Sequence, residues 1–404
     1  MAVYYVDCSN GAGVDSAGKG TTTGDPYLTI EYALNDIVDT HGKATGGDKL
    51  LVIGTSTPSA AITADIVYYA PSSTYALKIA SDGKEAFGTH NSLSPTERAT
   101  IDLDANSVPG WFNSLSIDYT SIAGFNVIRC SDDKATTTNV YFARCDDQCS
   151  FTDLYCDMSN MNVNNFYQFA QGQAAFTFCN NTLIGMESTT SANTYILYCA
   201  GGGSNVVNNN YFEVFNNQNY LTIYGCYFGA YAQCSGNIMK AKCKDSNTNA
   251  IEFMRYTGNA YFHNNEIYGE PGHDANDRIT MFKTTSTSYG HGRTVNFNNH
   301  AQHIGTMYDI PDYGITGTAW GGDTYYDIDT YRNCNFFDPI SEAPSFELSS
   351  SGCRSVEGRD FSPSIARLGI TWENHFRSAN SKYPDTYNGA AGFADDNPIL
   401  LAGM

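Results

Sequence analysis

The sequence predicts an all-β solenoid, and three observations carry that prediction. A short phrase returns along the chain: an aromatic or aliphatic residue, then Asn, Cys or Gly, then an apolar pair. It reads Phe178-Cys179-Asn180-Asn181-Thr182-Leu183-Ile184, then Val207-Asn208-Asn209-Asn210-Tyr211-Phe212, then Phe262-His263-Asn264-Asn265-Glu266-Ile267. The markers Asn181, Asn209, Asn237, Asn265, Asn299 and Asn335 stand 28, 28, 28, 34 and 36 residues apart, the period of a stack in which each unit covers its neighbour's apolar face. The second observation is length: 404 residues exceed what one compact core holds, whereas a solenoid core lengthens with every coil. The third is composition. Charged residues make up 16% of the chain against roughly 25% in ordinary globular proteins, so the surface is covered by neutral polar groups.

In chain order, Val3-Tyr4-Tyr5-Val6 reads as a short strand, followed by a Gly-, Ser- and Thr-rich loop from Cys8 to Asp25. Leu28 to Ile37 places apolar groups at helical spacing and predicts an amphipathic helix of about three turns. Such a helix would close the first coil, which otherwise exposes strand edges and an apolar cross-section. Leu50-Leu51-Val52-Ile53, Ile66-Val67-Tyr68-Tyr69, Leu77-Lys78-Ile79 and Ile101-Asp102-Leu103 read as strands, and 81–100 as a loop. Leu115 to Ile128 reads as one coil: a strand, a tight corner, then Gly124-Phe125-Asn126-Val127. The recurring Asn tolerates left-handed backbone at a corner, and its amide can bond the Asn of the next coil. These asparagines are therefore read as structural. The domain plan is a strand and capping helix in 1–40, a parallel solenoid in 41–340, and a closing segment and tail in 341–404.

Tyr4-Tyr5-Val6-Asp7, the Gly-rich loop, Asp25-Pro26-Tyr27, Thr29-Ile30 and Ala33-Leu34 together resemble the N-terminal entry of right-handed parallel β-helix proteins of the pectate-lyase-like superfamily. Phe361-Ser362-Pro363-Ser364-Ile365 and Tyr383-Pro384-Asp385 with Gly389-Ala390 are similar to closing phrases of that fold, although Thr386, Tyr387 and Asn388 separate Asp385 from Gly389. The resemblance covers nearly the whole chain and implies a fold, not a reaction.

The net charge of −20 and pI near 4.6 argue against nucleic-acid or anionic-membrane partners, which need clustered Lys and Arg. No apolar run is long enough to span a bilayer, and the N-terminus lacks the pattern of a secretory signal. The expectation is a soluble chain made in a cytoplasm. Cys130, Cys156, Cys179, Cys199 and Cys226 lie 26, 23, 20 and 27 residues apart and read as a ladder of buried, reduced thiols. Cys145 and Cys149 have no partners at zinc spacing, and neither metal nor cofactor is expected.

Glycan-cleaving β-helix enzymes are of two broad kinds. Glycoside hydrolysis needs paired carboxylates, and the densest acidic stretch, Asp146, Asp147, Asp153 and Asp157, supplies the catalytic candidates. Asp146-Asp147 with Gly290-His291-Gly292-Arg293 resembles the polygalacturonase-like pattern in residue type. About 145 residues separate the two parts, too many coils for one bond cleavage. Lyase chemistry needs a base beside acidic residues; no Lys or Arg pair at coil spacing beside acids stands out, and Lys240, Lys242 and Lys244 read as a solvated face. Asp274, Asn276 and Asp277 read as a surface turn. Tyr195/Tyr198 and Tyr224/Tyr227, with His291 and Arg293, are the binding candidates, because outward aromatics make platforms for sugar rings or a partner. The competing reading for each Tyr is the core.

A β-helix with no signal and no clear catalytic set resembles the virion-surface proteins of tailed bacteriophages. That resemblance implies a capsid decoration, fibre or short spike, with other virion proteins and a host surface glycan as partners and a homo-oligomer, a trimer first, as its assembly. The alternative function is a polysaccharide lyase or glycoside hydrolase of the tailspike depolymerase kind.

Overall fold

The computed structural model describes residues 2–9, 13–41, 48–59, 76–81, 98–103, 111–113, 119–128, 140–145, 148–158, 166–172, 175–188, 194–199, 204–216, 222–229, 232–244, 250–256, 260–270, 278–284, 294–297, 299–302, 306–310, 330–332, 335–337 and 345–348. These residues form a parallel β-solenoid with one short helix. By its contacts the chain divides into two compact units, Met1–Glu213 and Val214–Met404. In each, a coil contributes one strand to each of three sheets.

In the first unit, the first sheet stacks Val3–Asp7, Lys49–Ile53, Leu77–Ser81, Thr120–Ala123, Ser150–Thr152, Thr177–Cys179 and Asn205–Asn208. Its second sheet stacks Thr55–Ser56, Thr100–Asp102, Asn126–Ile128, Tyr155–Asp157 and Thr182–Ser188, and its third Phe112–Asn113, Val140–Cys145, Phe166–Gly172 and Thr194–Cys199. The second unit repeats the plan. Its first sheet holds Ala232–Ser235, Ala260–His263, Thr294–Phe297 and Thr330–Arg332, and its second Ile238–Cys243, Glu266–Gly269, His300–Gln302 and Asn335–Phe337. The third holds Thr222–Phe228, Ala250–Tyr256, Ile279–Thr284, Thr306–Ile310 and Ser345–Leu348. Pairing is parallel, as in Ser150↔Thr177 and Ala232↔Ala260.

The expected strands and helix appear at their places, the helix α1 as Ile30–His41. Thr29 starts it: its hydroxyl accepts from the Tyr32 N–H, while the Asp15 carboxylate accepts from the Leu28 and Thr29 N–H groups. This satisfies donors that a helix start leaves open. Ile30, Ala33, Leu34 and Ile37 are buried, and α1 packs on the strand Val3–Asp7. Residues 66–69 and most of 81–100 lie outside the described set, as does the closing segment 341–404 apart from Ser345–Leu348.

Inside the first unit, aromatic rings stack from coil to coil. Phe142 and Phe169 lie 4.8 Å apart and nearly parallel, and Phe178 stacks on Phe212 at 6.5 Å. Each such ring, fully buried, contributes about 1.5–3 kcal/mol by leaving water. In the second unit Phe262 packs on Phe282 at 4.9 Å.

The cysteine ladder needs correction. Cys156 belongs to the second sheet, Cys179 to the first, and Cys199 and Cys226 to the third. Their spacing mixes positions in different sheets, so they are not one column. The thiol character does hold: Cys156, Cys199 and Cys226 are buried and not in disulfides, and burial pushes the Cys156 and Cys199 thiols up from their ordinary values. Cys130 lies outside the described residues.

The corner between first and second sheets resolves the recurring Asn into two jobs held by consecutive residues. The first position takes left-handed backbone: Asn180, Asn209 and Asn264 have φ of 58°, 57° and 56°, and Gly124 and Gly236 take the same place at 78° and 65°. The second position points inward and bonds the next coil. Asn181 donates from its backbone N–H and its Nδ2 to Asn210 Oδ1, at 2.9 and 3.1 Å. In the second unit Asn237 donates in the same way to Asn265, and Asn265 to Asn299. The marker chosen at 209 is thus the corner residue; the ladder residue is Asn210. Side-chain amides suit the ladder because each has two donors and an acceptor to satisfy the buried corner backbone.

Candidate outer binding face

Strict alternation would send residues three apart to opposite faces of a strand. In the third sheet this rule is broken at one place in every coil with described side chains. Tyr195-Ile196-Leu197-Tyr198, Tyr224-Gly225-Cys226-Tyr227, Glu252-Phe253-Met254-Arg255 and Thr280-Met281-Phe282-Lys283 each place two consecutive residues inward, buried. The flanking residues therefore share the side opposite the inner pair, half-buried at Tyr195, Tyr198, Tyr227, Arg255, Thr280 and Lys283 and buried under neighbouring side chains at Tyr224 and Glu252, and the break in alternation lets them converge. Tyr195 and Tyr198 meet edge to face at 5.0 Å, and Arg255 Nη1 lies 3.3 Å from Glu252 Oε2. The break re-aims side chains as a bulge does.

Gly225 stands where its coil leaves no room for a side chain. A Cβ there would lie 2.5 Å from the Phe253 carbonyl oxygen and 2.7 Å from Met239 Cε.

Parallel register then builds a charged and aromatic patch in the second unit. Tyr224 pairs with Glu252 and Glu252 with Thr280; Tyr227 pairs with Arg255, Arg255 with Lys283, and Lys283 with Asp309. The Arg255 guanidinium lies over the Tyr224 ring at 4.6 Å and over Tyr227 at 5.9 Å. Lys283 Nζ reaches Glu252 Oε1 at 3.2 Å. Glu252 is the deepest of the three charged side chains, 8% exposed against 24% for Arg255 and 31% for Lys283. One carboxylate thus holds two cations at the surface, and a ring braces one of them; cation–π contact of this kind is worth about 0.5–2 kcal/mol.

In the first unit the same sheet carries Tyr195 and Tyr198, both half-buried, with Tyr198 in register with Gln171. The four tyrosine candidates thus fall on the outer side of the third sheet, two in each unit, although Tyr224 is largely covered by its neighbours.

The acidic candidates fare differently. Asp153 occupies the left-handed corner position, with φ of 55°, and is buried. Arg98 donates to its Oδ1 at 2.7 Å and to its backbone carbonyl, from a residue two coils earlier in the second-sheet stack. Burial pushes the Asp153 carboxyl up to about 6, against the opposing pull of Arg98, and its Oδ2 has no hydrogen-bond partner. Asp157 sits on the outer side of the second sheet, in register with Ile128 and Ile184. The fold does not bring Asp153 and Asp157 to one face. Asp146, Asp147, His291 and Arg293 lie outside the described residues, as do Asp274, Asn276 and Asp277.

Elsewhere on the second sheet, Tyr268 donates to Glu266 at 2.5 Å, and burial together with that carboxylate pushes the phenol up to about 12. Lys242 bridges to Glu270 at 2.7 Å and lies 5.7 Å from the Phe215 ring centre. Among the described residues no group of three or more His, Cys, Asp or Glu could hold a metal ion, and no helix is long and apolar enough to cross a membrane.

Glu252, Arg255 and Lys283 are not among the candidates that the sequence singles out, where no cation pair at coil spacing beside an acid is expected. Arg255 and Lys283 are such a pair: 28 residues apart, in register, and both bonded to Glu252. The legible signal was the repeated quartet of polar, apolar, apolar, polar residues.

The molecule is thus a parallel β-solenoid with a bent outer face that carries paired aromatic and charged side chains. No protein-family model matches the chain, and no curated protein matches it. Among solved structures it is similar to the pectin methylesterase from Aspergillus niger in deglycosylated form, with 13% identity, 94% of this chain and 97% of that one covered, and a TM-score of 0.38. It is also similar to the GH136 lacto-N-biosidase from Eubacterium ramulus, with 11% identity, 86% of this chain and 66% of that one covered, and a TM-score of 0.38. The solenoid stands on its own strand register, and no activity is carried over from these enzymes.

Proposed function

We propose that the chain is a polysaccharide-binding solenoid protein whose ligand lies on the outer face of the third sheet within the second unit. The observation that carries this reading is Arg255, braced between the Tyr224 ring at 4.6 Å and the Glu252 carboxylate at 3.3 Å, with Lys283 beside it. Aromatic faces take sugar rings, and guanidinium and ammonium donors take hydroxyl or acid groups. Order imposed before the ligand arrives reduces the cost of binding it. Within the first unit, Tyr195 and Tyr198 form an aromatic pair of their own.

Binding suits these groups better than cleavage. Hydrolysis uses two carboxylates that exchange protons across the bond, whereas Glu252 is engaged by two cations and Asp153 by Arg98. The phage-particle setting, with virion partners and a trimer, is kept as a proposal for where such a face would work; it rests on the resemblance alone.

The test is a glycan microarray carrying neutral, uronic-acid-bearing and sulfated polysaccharides, paired with a reducing-end assay. Binding that falls about tenfold in Arg255→Ala, without new reducing ends, is the expected result. Release of reducing ends abolished by Glu252→Gln would replace this reading with the depolymerase one. No glycan bound above the Arg255→Ala background would overturn both.

A further inference from the structure

Tyr224 and Tyr227 stand on one strand of the second unit and face the same two residues of the next coil, yet their surroundings differ. Arg255 is the register partner of Tyr227, and Glu252 is the register partner of Tyr224. The guanidinium nevertheless lies nearer the Tyr224 ring, 4.6 Å from its centre against 5.9 Å for Tyr227. The Glu252 carboxylate accounts for that lean, because it holds Arg255 Nη1 at 3.3 Å from the Tyr224 column. Tyr224 is covered, 6% exposed, while Tyr227 stays half-buried. One ring is a bed for the arginine; the other keeps surface that a ligand can reach.

We propose that the two tyrosines divide the work of the site: Tyr227 is the ring on which a pyranose unit of the glycan stacks, and Tyr224 is a positioning residue that acts only through Arg255. The inference rests on the glycan-binding reading above and assigns roles within it. A pyranose presents an apolar face of C–H groups, which needs an aromatic face that solvent can reach. A ring whose face already holds a guanidinium lacks one. Tyrosine suits the exposed place, since its ring gives a large, rigid contact with only two torsions to fix. The guanidinium, held by Glu252 and lying over Tyr224, meets hydroxyl or acid groups of the same sugar or its neighbour.

Two readouts test the division. The first is retardation in native gels cast with hydroxyethyl cellulose, carboxymethyl cellulose or dextran sulfate, measured for single and double variants. Tyr227→Leu is expected to weaken binding about tenfold, both in the wild-type chain and in the Arg255→Ala background. Tyr224→Leu is expected to weaken it in the wild-type chain but to add less than about twofold to Arg255→Ala, as a residue acting only through that arginine must. Tyr224→Phe keeps the ring and should keep the binding. The second readout needs no glycan: the Arg255 Nε–H proton resonance, displaced by the ring current of the nearer tyrosine, should move more in Tyr224→Leu than in Tyr227→Leu. Equal losses for the two leucine variants in the Arg255→Ala background overturn the inference, as does a larger resonance change in Tyr227→Leu. If Tyr224→Leu folds poorly, Tyr227→Leu decides alone: lost affinity with the Arg255 resonance in place supports the inference, and retained affinity overturns it. Wild-type protein retarded by none of the three polymers would remove the glycan reading and this inference with it, an outcome distinct from any loss in the variants.

Discussion

Replacing Arg98 by Met takes the ion partner from a carboxylate that the solenoid has already buried. The pair is tight, with Arg98 Nη2 at 2.7 Å from Asp153 Oδ1 and side chains only 9% and 6% exposed. Breaking a buried pair by deleting one member costs about 3–5 kcal/mol, because the other charge stays buried. The cost depends on pH. Asp153 already titrates near 6, raised from 3.8 by burial in spite of Arg98. A folded-state value above the unfolded one means that its contribution to stability is fully present below about 3.8 and is lost as pH rises through about 6. Without Arg98 the folded value rises further, so Arg98→Met should be mildly destabilised at pH 5 and lose about 3–5 kcal/mol near pH 8. The double variant Arg98→Met, Asp153→Asn should recover most of that loss and have little pH dependence over this window. Asn is at ease there: Asn180, Asn209 and Asn264 hold the same left-handed corner in other coils. Urea unfolding followed by far-UV circular dichroism at both pH values measures all three chains. The reasoning is refuted if Arg98→Met matches wild type within about 0.5 kcal/mol near pH 8, or if the double variant is no more stable than the single one.

Two further substitutions probe the corner and the bend. Asn265→Ala removes the acceptor for Asn237 and the donor to the Cys234 carbonyl; about 2–4 kcal/mol of stability should be lost, since buried groups are left unpaired, and thermal unfolding would show it as a lowered midpoint. Gly225→Ala puts a methyl 2.5 Å from the Phe253 carbonyl; the strand must shift, costing about 1–3 kcal/mol and moving Tyr224 from beneath Arg255, so glycan affinity should fall with stability in the same preparation.

The architecture was legible because its causes are local and repeated. Left-handed corners need Asn or Gly, inward positions need apolar side chains, and both recur at coil spacing in the text of the sequence. What could not be read was which of two adjacent asparagines did which job, since Asn209 and Asn210 are chemically identical and only the backbone separates them. The cysteines misled for a related reason: a spacing near the coil length is not a column unless the residues fall at the same point of the coil. The acidic stretch drew attention through density, yet Asp153 turns inward to an arginine 55 residues earlier, a partner that no local pattern announces. The patch at Glu252 was hidden because Arg255 sits three residues on, a spacing that an unbent strand would send to opposite sides.

That bent quartet separates two kinds of selection on the sequence. Its inner pair answers to packing, as Phe253 and Met254 do, while its outer pair engages side chains of the same and adjoining coils, as Glu252 does with Arg255 and Lys283. Half-buried outer positions such as Tyr198, Tyr227, Arg255 and Lys283 can therefore change identity with less repacking of the interior than the inner pair, and the corner ladder holds the coils in register even where the spacing lengthens, as between Asn265 and Asn299. The outer face behaves like a row of interchangeable type set in a rigid frame: recognition of a new polymer would come from exchanging letters coil by coil, with their spacing supplied by the 4.7–4.9 Å rise of the sheet itself.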